Sequence, residues 1–146
     1  MITNTTRRFL ATLISSIFII WFDRRYRKFV LIPLVILLIG FLLPQNMIIP
    51  VQGASTLDWD VNSFWAYPWG TSVTHKGIDI FKERGTPVVA STYGIVIYAH
   101  EGGKGGKSVM VLGPKWRFHY YAHLDAIEVY PMEPLKTGSL IGTVGD

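Results

Sequence analysis

The chain contains no cysteine, which excludes thiolate metal ligands, thiol catalysis and disulfide bonds. The absence is compatible with an exported bacterial domain but does not require one. After Val51 no stretch shows a sustained helical period of apolar residues, so a helical domain is excluded there. No stripe of Lys and Arg interleaves with the aromatic residues of the second half, so nucleic acid is not an expected partner. A length of 146 residues leaves room for one domain and little else.

Acidic residues are scarce near the N-terminus. Six of the fourteen basic residues lie in the first 28 positions, where Asp23 is the only acid. From Phe29 onward, nine acidic residues slightly outnumber eight basic ones. The net charge of +4 therefore predicts a membrane flank rather than a nucleic-acid-binding face.

Two apolar runs follow this pattern, Phe9 to Phe22 and Phe29 to about Val51. At 1.5 Å per residue the first is about 21 Å long, shorter than the ~30 Å hydrocarbon core, so residues 1–28 are expected to form a basic cytoplasmic or interfacial segment. The second reaches about 34 Å and predicts a single-pass anchor in the bacterial inner membrane at residues 29–51, with a kink or exit at Pro44. A signal peptide cleaved before Ala54 is the alternative. Either interpretation places the rest of the chain in the periplasm or outside the cell.

Residues 52–70 are expected to be a linker with an aromatic lead-in, and residues 71–146 a β-domain. Short bursts of β-branched and aromatic residues, separated by Gly and Pro turn signals, predict an antiparallel β-sheet of short strands. The bursts are Val88–Ala90, Ile95–Tyr98, Val109–Leu112, Trp116–Leu124, Ile127–Tyr130 and Ile141–Val144. The aromatic run Phe64–Trp69 fits either a cover for the sheet or the wall of a cleft.

His75 and Asp79 are spaced as HxxxD around Gly77, which would let the backbone bend so that the two side chains converge. A neutral imidazole and a carboxylate are both competent zinc ligands. The spacing equally fits a surface histidine and an aspartate that caps local amides.

His123 belongs to a run in which a period of two places His119, Tyr121 and His123 on one face of a strand. A histidine in a groove is a candidate general base or donor. A half-buried histidine bonded to a neighbouring strand is the alternative. His119 lies about 13 Å along the strand from His123, so the two cannot share one metal. His100 is predicted to lie in a loop before Gly102–Gly106, which lacks the GK[ST] of a phosphate-binding loop and is expected to be a hairpin tip.

Five blocks, in order, resemble the lysostaphin/LytM-type zinc metalloendopeptidases that cut peptidoglycan peptides. The blocks are His75–Asp79, Gly85–Ala90, Gly94–Ala99, Tyr121–Leu124 and Gly138–Gly145, and they cover about half of the chain. The resemblance implies an antiparallel β-sheet with an open groove, a single Zn²⁺ held by His75 and Asp79, and a catalytic His123. It also implies peptidoglycan peptides as the substrate and peptide hydrolysis by water activated at the zinc.

The same resemblance implies a His-Xaa-His strand that supplies the third zinc ligand and a further catalytic histidine, and this strand is not found before Asp146. The sequence therefore predicts a peptidase-like domain that is incomplete at its C-terminus, inactive as it stands, and left with an unpaired sheet edge beside the site. Two alternatives remain. One is a non-catalytic domain that binds peptidoglycan or regulates another hydrolase. The other is a lipoyl-type carrier, which the outward topology disfavours.

Overall fold

The structure, a computed structural model, describes residues 4–22, 24–67 and 74–146. The chain forms two compact units, Met1–Leu43 and Pro44–Asp146. Asp23, the end of the aromatic run at Pro68 and Trp69, and the expected start of the β-domain at residue 71 lie outside the described residues.

The N-terminal unit consists of α1 (Asn4–Phe22) and α2 (Arg24–Leu42). The first five residues of α2 include four basic ones, so its apolar part runs only from Phe29 to Leu42, about 21 Å at 1.5 Å per residue. In the described part of the chain, no helix is both long enough and apolar enough to cross a membrane. The predicted membrane-spanning helix is therefore not supported.

The segment after α2 differs from its prediction. The helix ends at Leu42 because Pro44 has no N–H to continue the ladder. The following residues bond to the sheet instead: the Ile48 amide donates to the Ser91 carbonyl at 2.9 Å, and the Tyr93 hydroxyl donates to the Pro44 carbonyl at 2.8 Å. Val51, the expected end of the anchor, is buried in the core of the β-domain.

The second unit is a six-stranded sheet in which every neighbouring pair is antiparallel. Its strands are β1 (Pro87–Val89), β2 (Gly94–Glu101), β3 (Lys107–Leu112), β4 (Phe118–Ile127), β5 (Pro134–Leu135) and β6 (Leu140–Val144), in the order β1-β6-β4-β3-β2-β5. Short 3₁₀ helices span Thr56–Asp58 and Pro114–Trp116. The predicted antiparallel β-domain is confirmed.

One strand prediction is wrong, and one strand was missed. Residues 128–130 do not form a strand, since β4 ends at Ile127 and the Tyr130 amide donates to the Glu133 carboxylate in a turn. The two-residue β5 gave no recognisable burst in the sequence because it begins at a proline.

The strand β6 lies between β1 and β4 and has a partner on each side. The outer edge of β1 is met by the lead-in segment: the Val89 amide donates to the Pro50 carbonyl at 2.7 Å, and the Gln52 amide donates to the Pro87 carbonyl at 3.0 Å. Covered in this way, the outer edge of β1 resists pairing with other chains. In contrast, β6 pairs with β4 only over Leu124–Ile127, so among the described residues the part of β4 from Phe118 to Ala122 has a strand partner only in β3. The expected unpaired edge beside the site lies along this part of β4.

The core of the sheet is aliphatic. Val96, Val109, Val111 and Ile141 are fully buried, and burying each such side chain stabilises the fold by about 1.5–3 kcal/mol. These four residues come from β2, β3 and β6. They hold the central strands in register, and the candidate site lies on β4 and on the segment before β1.

Candidate metal centre

His75 and Asp79 face each other, as the HxxxD spacing predicts. The distance from His75 Nε2 to Asp79 Oδ1 is 3.6 Å, and the two side chains are 22% and 48% exposed. Two zinc bonds of about 2.0–2.2 Å at a tetrahedral angle place their donor atoms about 3.3–3.6 Å apart. The observed separation therefore fits two corners of a tetrahedral zinc site.

The ring of His75 is oriented by the backbone of Ser63. His75 Nδ1 lies 2.8 Å from the Ser63 carbonyl oxygen. A carbonyl only accepts, so Nδ1 is the donor and the lone pair of the neutral ring is on Nε2, the atom that faces Asp79. This is the arrangement in which metal-bound histidines are usually held.

The backbone of Asp79 is fixed on both sides. Its amide donates to Ser63 Oγ at 3.0 Å, and its carbonyl accepts from the Asp60 amide at 3.1 Å. Next to it, Lys82 pairs with Asp58 at 2.8 Å, and this hydrogen bond, with help from the Ser55 amide, lowers the pKa of Asp58. The segment around Asp58–Asp60 therefore holds the ligand-bearing segment in place.

Gly77 lies at a bend of the backbone, as predicted, and it has a second role. A Cβ built on Gly77 would lie 3.2 Å from His75 Nε2. A side chain at this position would crowd the nitrogen that is available to a metal. Gly77 therefore keeps the space over the donor atom open.

His123 sits at a β-bulge in β4. The pairing of β3 with β4 shifts register between Lys107 and Val109, and His123 has a φ of 56°, in the left-handed region. Its amide donates to the Gly105 carbonyl at 2.9 Å, and its carbonyl accepts from the Gly145 amide at 2.9 Å. A left-handed residue with a side chain costs about 1–2 kcal/mol and is characteristic of functional sites.

The bulge corrects the predicted faces of β4. Tyr121 and Leu124 are both buried, whereas regular alternation would have put them on opposite faces. His123 is consequently exposed and does not share a face with Tyr121. The prediction of a common face for His119, Tyr121 and His123 is wrong, because the bulge reverses the alternation after Ala122.

His75, Asp79 and His123 line one groove of about 910 Å³. Phe81, Phe118 and Tyr120 contribute aromatic walls. The Gly-rich hairpin tip joins β2 to β3 and adds Lys104 and Gly105, with Gly105 packed so closely that a Cβ would meet the Tyr120 hydroxyl. A groove of this volume accommodates a short extended peptide.

Phe64 and Trp65, the described rings at the start of the aromatic run, are more than half exposed, so they do not cover the sheet. The Trp65 amide donates to the His75 carbonyl at 2.7 Å. This part of the run therefore lies beside the candidate metal ligands.

The other two histidines lie outside this groove. His100 is exposed in β2 rather than in the predicted loop. His119 Nδ1 is 3.3 Å from Ser91 Oγ, and its Nε2 is 3.2 Å from the Gln45 side-chain amide. Burial, and secondarily the charge of Arg117, lowers the pKa of His119.

This shift predicts acid sensitivity. The folded protein favours the neutral His119 ring, so protonation of this ring costs free energy of folding. This contribution to the free energy of unfolding is fully present above the ordinary histidine pKa of about 6.5. It is lost as the pH falls from there through the lower pKa of His119 in the folded protein. Between about pH 7 and pH 5, the free energy of unfolding of the wild type should fall more steeply than that of His119→Gln, as measured by urea denaturation. The exposed His100→Gln is the matched control. Equal slopes for wild type and His119→Gln would contradict the assignment.

Asp125 does not contribute to the change in stability between about pH 7 and pH 5. Hydrogen bonds from the Arg84 guanidinium lower the pKa of Asp125, and Arg84 Nη1 also lies 3.4 Å from Asp146 Oδ2. The contribution of the ionised Asp125 to the free energy of unfolding is therefore lost only at more acidic pH.

Across residues 4–22, 24–67 and 74–146, no group of three His, Cys, Asp or Glu side chains is placed to hold a metal ion. His75 and Asp79 therefore provide a pair of donors without a third in this part of the chain.

The family model of peptidase family M23 matches residues 73–146, half of the chain, which includes His75, Asp79 and His123. The chain belongs to peptidase family M23. The chain is 30% identical over 92 residues to the L-Ala–D-Glu endopeptidase of Bacillus subtilis (strain 168), a match that covers 60% of this chain and 28% of the relative. It is 36% identical over 98 residues to the uncharacterized lipoprotein YgeR of Escherichia coli (strain K12), covering 66% of this chain and 39% of YgeR. The chain thus spans well under half the length of these two relatives.

Solved structures of M23 proteins share the fold. A lytM protein of Ruminococcus gnavus, for which a glycyl-glycine endopeptidase activity has been suggested, is 27% identical with a TM-score of 0.59, covering 84% of this chain and 53% of that protein. A candidate M23 peptidase of Pseudomonas aeruginosa is 26% identical with a TM-score of 0.52, covering 68% of this chain and 38% of that protein. The resemblance predicted from the five sequence blocks is confirmed.

Proposed function

We propose that the groove is the substrate site of a zinc-dependent endopeptidase that cleaves peptide bonds of bacterial peptidoglycan. The observation that carries this proposal is the 3.6 Å approach of His75 Nε2 to Asp79 Oδ1, with the other ring nitrogen held by a carbonyl. The Bacillus subtilis and Ruminococcus gnavus proteins are both named as endopeptidases, which supports peptides as the substrate class.

The residues of the groove would have three roles, which are metal binding, proton transfer and substrate binding. His75 and Asp79 would hold Zn²⁺, which when bound supplies a Lewis acid for the peptide carbonyl and for water. His123, on the bulge, would accept the proton of the attacking water and return it to the leaving amine. Phe118 and Tyr120 would hold the substrate backbone in the groove.

A third protein ligand is needed for a tightly bound hydrolytic zinc. Because the described residues supply only two, we propose that these 146 residues alone do not cleave cell wall, and that a following His-Xaa-His segment, as the family resemblance implies, completes the site. The same shortage of donors is the observation that favours the alternative, a non-catalytic domain that binds peptidoglycan.

A comparison of three proteins tests this proposal. They are the 146-residue chain, a form extended after Asp146 by a family-like His-Xaa-His strand, and a matched form extended by Ala-Xaa-Ala. Only the first extended form should release peptides from purified cell wall, and a chelator should abolish the release. Zinc-dependent release by the 146-residue chain would show that another residue or a second copy completes the site. Cell-wall binding by all three without any release would favour the non-catalytic alternative.

We also propose that the domain works in the bacterial cell envelope, where peptidoglycan lies. The naming of a relative as a lipoprotein and the basic residues before Phe29 support this location. A reporter that folds only outside the cytoplasm, fused after Asp146, should be active, and activity of a cytoplasm-only reporter there would contradict the proposal.

A further inference from the structure

Ser63 is a buried polar residue outside the region that the family model matches. It is 4% exposed, one of four buried polar residues among the described part of the chain, and it precedes the matched residues 73–146. Nothing in the spacing of the sequence connects it to His75 or Asp79. The structure nevertheless brings it into contact with both.

The carbonyl of Ser63 controls one ligand. The contact of 2.8 Å with His75 Nδ1 requires the proton on that nitrogen, because a carbonyl oxygen has none to donate. The ring can then neither rotate about its Cβ–Cγ bond nor change tautomer without losing this hydrogen bond. Nε2 stays directed at Asp79 Oδ1.

The hydroxyl of Ser63 controls the other ligand. Ser63 Oγ accepts from the Asp79 amide at 3.0 Å and donates to the Asp60 carbonyl at 2.7 Å. Both the proton and a lone pair of the hydroxyl are therefore used, and its orientation is fixed. The Asp60 amide in turn donates to the Asp79 carbonyl at 3.1 Å, which closes a ring of hydrogen bonds around the ligand's backbone.

Two further backbone bonds fix the distance between Ser63 and the ligands. The His75 amide donates to the Ala66 carbonyl at 2.8 Å, and the Trp65 amide donates to the His75 carbonyl at 2.7 Å. The segment that carries Ser63 is thereby paired with the ligand segment itself. The contacts of Ser63 with His75 and Asp79 therefore belong to a continuous network of hydrogen bonds between the two segments.

We infer that Ser63 is a positioning residue of the metal centre, which sets the tautomer of His75 through its carbonyl and the backbone position of Asp79 through its hydroxyl. This inference rests on the proposed zinc site for the identity of the metal. Partners of this kind around metal ligands change metal affinity by about 10- to 100-fold when they are removed. Ser63→Ala keeps the carbonyl and removes the hydroxyl, so it isolates the effect on Asp79.

Metal titration tests the role of the hydroxyl. Ser63→Ala should bind Zn²⁺, and Co²⁺ as a coloured probe, about 10- to 100-fold more weakly than wild type, and Ser63→Thr should restore most of the affinity. Ser139→Ala is the matched control, because Ser139 Oγ also accepts a backbone amide, that of Lys136, at 3.0 Å and does not line the groove. Equal affinity of wild type and Ser63→Ala would overturn the inference.

The tautomer of His75 tests the role of the carbonyl without any variant or metal. Long-range ¹H–¹⁵N spectra of the metal-free wild-type chain should show His75 with its proton on Nδ1. A proton on Nε2 would overturn the inference even if Ser63→Ala failed to fold. Failure of the proposed function would look different, since the wild-type chain would then bind neither metal while the tautomer was still measurable.

Discussion

Replacing His123 with glycine should lower the rate of peptide release by about 10²- to 10⁴-fold, the usual contribution of a general acid or base, while making the domain more stable. The φ of 56° at His123 costs about 1–2 kcal/mol for a residue with a side chain. Glycine removes that cost but adds about 0.5–1 kcal/mol of backbone entropy in the unfolded chain, so the net gain is about 0–1.5 kcal/mol, centred at about 0.75 kcal/mol. The rate is measured with the form extended by His-Xaa-His, and the free energy of unfolding by urea denaturation.

Met132→Gly is the matched control for this experiment. Met132 also has a positive φ, of 70°, is 74% exposed and does not line the groove. It should give a similar gain in stability with no change in rate. An unchanged rate for His123→Gly would exclude His123 as the proton-transfer group, and a loss of stability would exclude backbone strain at the bulge.

The 146-residue chain should bind Zn²⁺ with a dissociation constant on the order of tens of micromolar. Structural sites with four protein ligands bind Zn²⁺ with a free energy of about 10–16 kcal/mol, or about 3 kcal/mol per ligand. Two ligands therefore supply a binding free energy of about 6 kcal/mol. His75→Ala or Asp79→Ala should each weaken binding about 100-fold further, into the millimolar range. Isothermal titration with Zn²⁺ against a competing chelator measures both changes.

The exposed His100→Ala is the control for loss of an imidazole outside the groove, and it should bind Zn²⁺ as the wild type does. Stoichiometric binding by the wild-type chain that survives a chelator wash would contradict the two-donor account. It would require a further ligand from outside the described residues or from a second copy of the chain.

Most of the sheet could be predicted from the sequence because its strands are short β-branched bursts between Gly and Pro turns. The failures have physical causes. Two-residue β5 is stabilised by pairing with β2 and not by its own composition, which a pattern cannot show. Met47–Val51 reads as a continuation of the apolar run, yet its backbone bonds go to Ser91 and β1. Apolar residues suit both a membrane and a protein core, so hydrophobicity alone did not separate the two environments.

The candidate site was predicted only where its chemistry is carried by side chains in a motif. His75 and Asp79 are close together in the sequence, and their convergence followed from their spacing. Ser63 was missed because half of its role belongs to a backbone carbonyl, which every residue possesses. Its one signal was a small hydroxyl residue next to the aromatic run. The bulge at His123 was missed because it depends on register with β3, which is a tertiary property.

The position of β6 has a consequence for how the domain is made. Among the described strands, β1 joins the sheet only through β6, which follows all the others in the sequence. Until Leu140–Val144 has left the ribosome, β1 lacks its partner strand β6, and the sheet cannot connect β1 to β4, the strand that carries His123. Contacts of this sequence separation form slowly, because the long loop must close before any bond compensates for its entropy. The two sides of the groove therefore come together late in folding, after β2, β3 and β4 have formed their hairpins.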